Sequence, residues 1–343
     1  MMNKIAVLSV LFFAASSVLA DDEPVTLENA KPVGPHTKTE AIAKSFSMER
    51  ATRYLDSASL TWQKKSNCFA CHTNFAYLYA RPLVDAKAPA HQTVRKALED
   101  LVEIRWEKSK PRWDAEVVAS GAALAFNDAA TTGKLHPTTK KALDRMWTVQ
   151  KKDGGWNWLK CSWPPMENDD HYGATLAAVA AGVAPEEYRK SDLAKAGLAK
   201  LKLYFEKNPP ENLHHKAMLL WANSYLGDLL KANEKQAYVD ELLKTQIADG
   251  GWAGGGFGDW RRGDKTMQDK STSDGYGTGF AVYVLRRSGL PKDHPAIDKG
   301  IAWLHANQRE SGRWWSRSLF RDGSHLLTNA GTAFAVMALA ETK

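Results

Sequence analysis

The residues best equipped for chemistry are Cys68, Cys71 and His72, in the run Cys68-Phe69-Ala70-Cys71-His72. Cys-x-x-Cys-His is the spacing at which a c-type haem attaches. Two thiols three positions apart reach the two vinyl groups on one porphyrin edge, and the imidazole that follows lies under the iron as axial ligand. Two other readings use the same atoms: a Cys68–Cys71 disulfide, or half of a zinc site. Zinc normally draws a second pair of Cys or His ligands at matching spacing, and the chain has none. The expectation is one covalent haem c on Cys68 and Cys71, with His72 on the metal. Three Cys in 343 residues do not make a disulfide scaffold, and Cys161 is left over as a lone thiol.

Residues 1–20 read as a cleaved signal peptide, which fits the haem expectation because such motifs are loaded outside the cytoplasm. Lys4 supplies the positive start, Ile5 to Ala15 are almost wholly apolar, and Val18-Leu19-Ala20 offers the small residues of a cleavage site. That run is too short to span a bilayer comfortably, and Gly173 to Ala184 is shorter still. The reading is a soluble mature chain in a periplasm or equivalent compartment, with no integral membrane segment after signal cleavage. The formal net charge of +7 is scattered, without long basic runs. An exported chain is not expected to meet nucleic acid. A basic surface suits an acidic redox partner, an anionic polymer or lipid headgroups, or serves solubility alone.

The elements that must position the motif come from a repeat. After a Pro-, Glu- and Thr-rich leader (residues 21–43), a unit of about 50 residues recurs across residues 44–343. An amphipathic helix ends in Gln, Gly-containing turn residues follow, and a Trp folds back: Gln150 to Trp156, Gln246 to Trp252, and Gln308 to Trp314. A second helix of small and apolar residues comes next, as in Gly173 to Val179, Gly277 to Leu285 and Gly331 to Leu339. A helix apolar nearly all round is buried. The spacing predicts outer helices near Met48, Val94, Thr138, Leu193, Gln236 and Ala296. Inner helices are expected at Phe69–Ala80, Asp114–Phe126, Tyr172–Ala181, His214–Leu226, Tyr276–Arg286 and Thr328–Glu341. The expected class is all-α, a single ring of six helical hairpins with the haem motif in the first repeat. Closing the ring buries every apolar face, whereas an open stack would need polar end caps.

The Gln…Gly-x-Trp repeats resemble the QW motifs of squalene–hopene cyclases and their relatives, over roughly residues 44–343. The resemblance implies an α6/α6 toroid whose inner helices line a central cavity. In that family the motifs brace helix ends and carry no chemistry.

Parallel inner helices bring their N-termini to one rim, turning distant positions into one site. The candidates there are Asp114 and Glu116, Asp169 to Tyr172, His214 and His215, Asp274 and Tyr276, and His325 and Asn329. His171 is the preferred sixth ligand or distal residue, with His214 and His215 next and Met166 a further candidate. Glu167-Asn168-Asp169-Asp170 resembles the Asp-x-Asp-Asp acid motif of the cyclases, with Glu in place of the first Asp. If that role survives, Asp169 is the proton donor, its pKa raised by burial and neighbouring carboxylates. Otherwise the acidic run caps an inner helix. Asp169, His171 and Tyr172 are thus the candidate catalytic residues. Prenyltransferase β-subunits share the toroid, but their zinc-binding Asp-x-Cys is missing here. Toroidal polysaccharide lyases use His and Tyr, which His171-Tyr172 and the Trp-rich loops would permit. Gly254 to Gly258 has no following Lys-Ser/Thr and is read as a loop over the cavity.

The expected function is electron transfer or haem-based redox chemistry on a ligand in the cavity, with a redox protein or a small molecule as partner. If enzymatic, the chain would be a haem-dependent oxidoreductase. The alternatives are a haem-independent toroid enzyme, cyclase-like or lyase-like, and a binding module.

Overall fold

The computed structural model describes residues 23–66 and 68–342. The expected signal peptide lies outside them. The described chain is helical, with two isolated β-bridges, and forms six hairpins. The outer helices are α1 (Met48–Ser66), α3 (Pro89–Asp100), α5 (Pro137–Thr148), α7 (Asp192–Lys207), α9 (Ala232–Lys244) and α11 (Pro295–Asn307). The inner helices are α2 (Ala76–Ala80, entered through a π-helical turn Cys71–Phe75), α4 (Asp114–Thr131), α6 (Asp170–Val183), α8 (Leu213–Leu226), α10 (Gly275–Arg287) and α12 (Leu327–Glu341). Each inner helix packs against the next, and α12 packs against α2, so the ring is closed.

The Gln-Gly-Trp repeat works as a fastener. Gln150, Gln246 and Gln308 each donate through Nε2 to their own turn, at the carbonyls of Gly154 (2.9 Å), Gly250 (2.8 Å) and Gly312 (3.0 Å). The same Nε2 reaches the start of the next outer helix, at Gly197 O (3.0 Å), Ala296 O (2.8 Å) and Ser47 O (2.9 Å). The last of these joins the sixth repeat to the first, and Ser47 N–H returns a bond to Gln308 Oε1 at 2.7 Å. Trp156, Trp252 and Trp314 then donate to carbonyls ten residues back, at Met146, Leu242 and Leu304. The turn glycines need left-handed backbone: Gly154, Gly250 and Gly312 have φ of 94°, 93° and 94°. A Cβ on Gly312 would stand 2.2 Å from Arg50 O, so only glycine lets α1 come this close.

At the level of Trp221 the ring is filled with side chains. Trp221 (α8) is 1% exposed and meets Tyr79, Phe126, Tyr283 and Phe334 from four other inner helices, at centroid distances of 5.6–6.3 Å. The resemblance implied a central cavity lined by the inner helices, but at this level aromatic rings occupy it. Burial of such rings contributes about 1.5–3 kcal/mol each, with further gain from tilted and edge-on contacts. Room for a ligand is found at the rim.

The leader is extended and also docked. Arg309 Nη1 donates to Glu40 O (2.8 Å), Ala43 N to Gln308 O (2.8 Å), and Ile42 bridges Arg309. The buried guanidinium of Arg313 pairs with the Glu40 carboxylate and donates to Pro35 O (2.8 Å) and Val33 O (3.3 Å). The leader thereby becomes a strap across the seam of the ring.

Candidate functional site

The Cys-x-x-Cys-His segment follows the end of α1. Both Thr73 N and Phe75 N donate to Ala70 O at 3.2 Å, forming the wide π-helical turn that carries Cys71 and His72. Asn74, wholly buried, pins the turn to α1 through Ser59 O (3.0 Å) and Ser59 Oγ (2.8 Å). Cys68 and Cys71 are both free thiols and half-buried. Burial pushes the Cys71 thiol up, and the neighbouring Glu167 carboxylate adds to this.

His72 is held as metal-ligating histidines commonly are. Its Nδ1 pairs with Thr73 Oγ1 at 2.7 Å and its ring meets Trp62 edge-on at 5.0 Å. Burial keeps the imidazole neutral, with its pKa lowered to about 4. Nε2 is therefore the nitrogen left for a partner, and the second bond fixes ring orientation. That bond is one link in a chain. Thr73 Oγ1 accepts from Asn329 Nδ2 (2.9 Å), and Asn329 Oδ1 accepts from the Tyr54 hydroxyl (2.6 Å). The Tyr54 oxygen in turn lies 3.0 Å from His36 Nε2. Leader, α1, π-helical turn and α12 are thus tied through polar side chains.

Two hollows flank this network and share Leu326. A small crevice is lined by His72, Trp163, Met166, Glu167, Leu326 and Leu327. A cavity of about 1020 Å³ is lined by Val33, Pro35, His36, Trp62, Leu326, Asn329 and other residues. It is large enough for a cofactor, whose pockets run to about 1,000 Å³. Lys38, Lys64 and Lys65 stand on its walls. Apolar walls, basic side chains and a nearby imidazole with a free nitrogen fit a porphyrin with its propionates. The donor set at residues 68–72 fits thioether attachment.

Asp169, His171 and His215 form a second group. Asp169 N-caps α6 by accepting from Tyr172 N (2.9 Å), as Asn212 and Asp274 cap α8 and α10. Its carboxylate also accepts from His215 Nε2, with 3.1 Å to each oxygen. Burial favours the neutral acid, but the His215 bond and charge together with the Tyr172 N–H win and hold Asp169 well below the carboxylate range. The raised pKa expected of a proton-donating Asp169 is therefore not found: the carboxylate caps α6 and anchors His215. His171 stacks on His215 at 4.2 Å and lies 5.6 Å from Phe205. Both its nitrogens are buried without a partner, and burial lowers its pKa to about 3.

The predicted site residues thus divide. His171 and His215 face one another, and none of their ring contacts is with His72. His214 is core: it is fully buried, bonds Tyr276 Oη at 2.7 Å, and stacks on Phe280 at 4.9 Å and Tyr172 at 6.0 Å. Met166 shares the crevice with His72. Glu116 is spent on Arg105, Arg112 and Trp106 Nε1, and Asp114 accepts from Asn157 N. Among the described residues no group of three or more His, Cys, Asp or Glu is arranged to hold a metal ion by itself. His36, Tyr54 and Thr73 were not singled out from sequence; only the Thr next to His72 carried a local signal.

Comparison with known proteins bears on the architecture. The family described as squalene-hopene cyclase C-terminal domain matches residues 217–342. A squalene–hopene cyclase of Zymomonas mobilis is 40% identical over 79 residues, which are 23% of this chain and 10% of that protein. The chain therefore spans about a tenth of that curated relative. Among solved structures, ent-copalyl diphosphate synthase from Streptomyces platensis superposes with a TM-score of 0.51 at 15% identity, covering 78% of this chain and half of that one. A glycosidase superposes with a TM-score of 0.53 at 10% identity, covering 85% and 96%. The chain carries a squalene-cyclase-like α/α toroid.

Proposed function

We propose that this chain is an exported mono-haem c-type protein whose haem is carried at the rim of a toroid. The observation that carries the reading is the placement of Cys68-x-x-Cys71-His72 beside a roomy apolar cavity, with Nδ1 of His72 already engaged and Nε2 spare. Cys68 and Cys71 would hold the group through thioethers and His72 would bind its iron. Lys38, Lys64 and Lys65 would receive its carboxylates. Bound haem supplies one-electron redox chemistry at iron. The chain's own part is to orient His72 through Thr73 and to keep water from the apolar wall of Trp62 and Leu326. The role is electron transfer or redox action on a ligand at the rim, in a periplasm or an equivalent compartment, with an acidic redox protein or a small molecule as partner. Expression in a host with c-type maturation, followed by a pyridine haemochrome spectrum, tests this. A thioether-linked spectrum is expected, lost in Cys68→Ser/Cys71→Ser; a colourless product overturns it.

A second reading draws on the fold likeness to a terpene synthase and on the His171–His215–Asp169 group: a haem-independent toroid enzyme acting at the rim. Here ionised Asp169 would orient His215, and the unpartnered His171 would meet the substrate. It predicts turnover of a polyprenyl or uronate substrate that survives Cys68→Ser/Cys71→Ser and is lost in His171→Ala. The reverse pattern rejects it.

A further inference from the structure

We infer that the large cavity beneath the strap Ala30–Thr39 is a small-molecule site in its own right, for an apolar compound bearing one carboxylate. None of Cys68, Cys71 and His72 is on its wall, so an iron held by His72 belongs outside it. Lys64 and Lys65, four and three residues before Cys68, suffice for the two carboxylates of a haem tethered there. The strap side of the cavity is left for a second guest. The site stands without haem; that its guest is the small molecule of the redox role rests on the haem reading above.

Val33, Pro35, Ala58, Trp62 and Leu326 make the walls apolar, three lysines stand on them, and no Asp or Glu does. A one-signed cavity of this kind favours an anion, and a volume of about 1020 Å³ has room for an apolar body behind the charge. Arg313 fixes the strap over it through Glu40 and the carbonyls of Pro35 and Val33. Two donors on the strap side are unspent. The Lys38 ammonium, exposed and without an ion pair among the described residues, lies 5.9 Å from the centroid of the Trp315 ring. His325 packs on the same ring at 5.4 Å. Its Nδ1 accepts from Ser318 N at 3.0 Å, so the neutral imidazole carries its proton on Nε2 and can donate it. His36 is already engaged: its Nε2 lies 3.0 Å from Tyr54 Oη, and its ring also bonds the His325 backbone. Two wall residues connect the guest to the Cys-x-x-Cys-His turn. Trp62 meets His72 edge-on at 5.0 Å, and Asn329 donates to Thr73 Oγ1, which pairs with His72 Nδ1.

The test is isothermal titration calorimetry of the full mature chain from a haem-maturing host, with three probes. These are 2-naphthoate, 2-naphthamide (the same shape without the charge) and acetate (the charge without the apolar body). The expected result is saturable binding of one 2-naphthoate per chain, about tenfold weaker binding of the amide, and no measurable binding of acetate. Losing a charged hydrogen-bond partner in Lys38→Gln should weaken 2-naphthoate about tenfold or more. His325→Phe keeps a ring on Trp315 without the N–H and should weaken it about fivefold. Lys244→Gln, an exposed lysine on α9, should match the parent. A parent that does not bind 2-naphthoate overturns the assignment. So does an amide that binds as tightly as the acid, or unchanged affinity in both Lys38→Gln and His325→Phe. Cys68→Ser/Cys71→Ser should bind like the parent, and loss of binding there overturns the claim that the site stands without haem. Intact mass separates the two readings: a parent that binds but carries no haem keeps the site and removes its redox role, whereas a haem-loaded parent that does not bind removes the site alone.

Discussion

Thr73→Val is a small change with a calculable effect. Valine matches threonine in shape, so the substitution removes little but Oγ1, which is buried between His72 Nδ1 at 2.7 Å and Asn329 Nδ2 at 2.9 Å. Both nitrogens lose their partner in a site that water does not readily fill. Each unsatisfied buried polar group costs about 1–3 kcal/mol, so the pair costs about 2–6, centred near 4. A chain of this length unfolds with an entropy near 0.7 kcal/mol per kelvin, at about 2.1 cal/mol/K per residue. The melting temperature should therefore fall by about 5–6 °C. Thr73→Ser keeps the hydroxyl and loses one methyl group, and should fall by about 1–2 °C. Differential scanning calorimetry of parent, Val and Ser proteins reads this directly. If Val and Ser melt within about 1 °C of each other, Thr73 does not hold the network together, and the argument that it orients His72 fails.

Three further expectations follow from the same geometry. Gly312→Ala puts a Cβ 2.2 Å from Arg50 O at φ 94°; it should lower the urea midpoint by the equivalent of about 3 kcal/mol or more, and a neutral result would deny that the Gln308 seam closes the ring. Trp221→Ala empties the ring at its centre and should cost about 3–5 kcal/mol; a loss below about 1 kcal/mol in the same titration would mean the rings do not meet there. Asp169→Asn removes a carboxylate held below its usual range by His215 and Tyr172 N. A depressed acid stabilises the fold above its unfolded pKa, near 4, and loses that contribution as pH falls below it. The variant should be less stable by about 2 kcal/mol at pH 7, and the gap should shrink towards pH 2; a gap constant with pH would contradict the pairing.

The ring was legible in the sequence because its signals are local. Gln, Gly and Trp recur at fixed offsets in the third, fifth and sixth units, whose small, apolar inner helices set the period from which the other three pairs were placed. The Cys68-Phe69-Ala70-Cys71-His72 run was legible for the same reason. Side-chain direction was not. Repeat equivalence placed His171 on the rim, but its partner His215 comes from the next hairpin, and which way the ring turns is decided by stacking. The Asp169 pKa was misjudged because a capped N–H and a histidine 46 residues away outweigh burial. The docking of the leader beside His36 was missed because this Pro-, Glu- and Thr-rich segment has no periodicity, and it depends on Arg313, more than 270 residues away. A central cavity was expected by likeness, whereas Trp221 and its neighbours are large enough to fill the ring at their level.

The central claim is covalent haem on Cys68 and Cys71, and the intact mass of the mature chain from a maturation-competent host tests it most directly. The account predicts polypeptide plus one haem, falling to polypeptide alone in Cys68→Ser/Cys71→Ser. A mass of polypeptide alone for the unaltered chain, from a host that loads a control c-type protein, would contradict it.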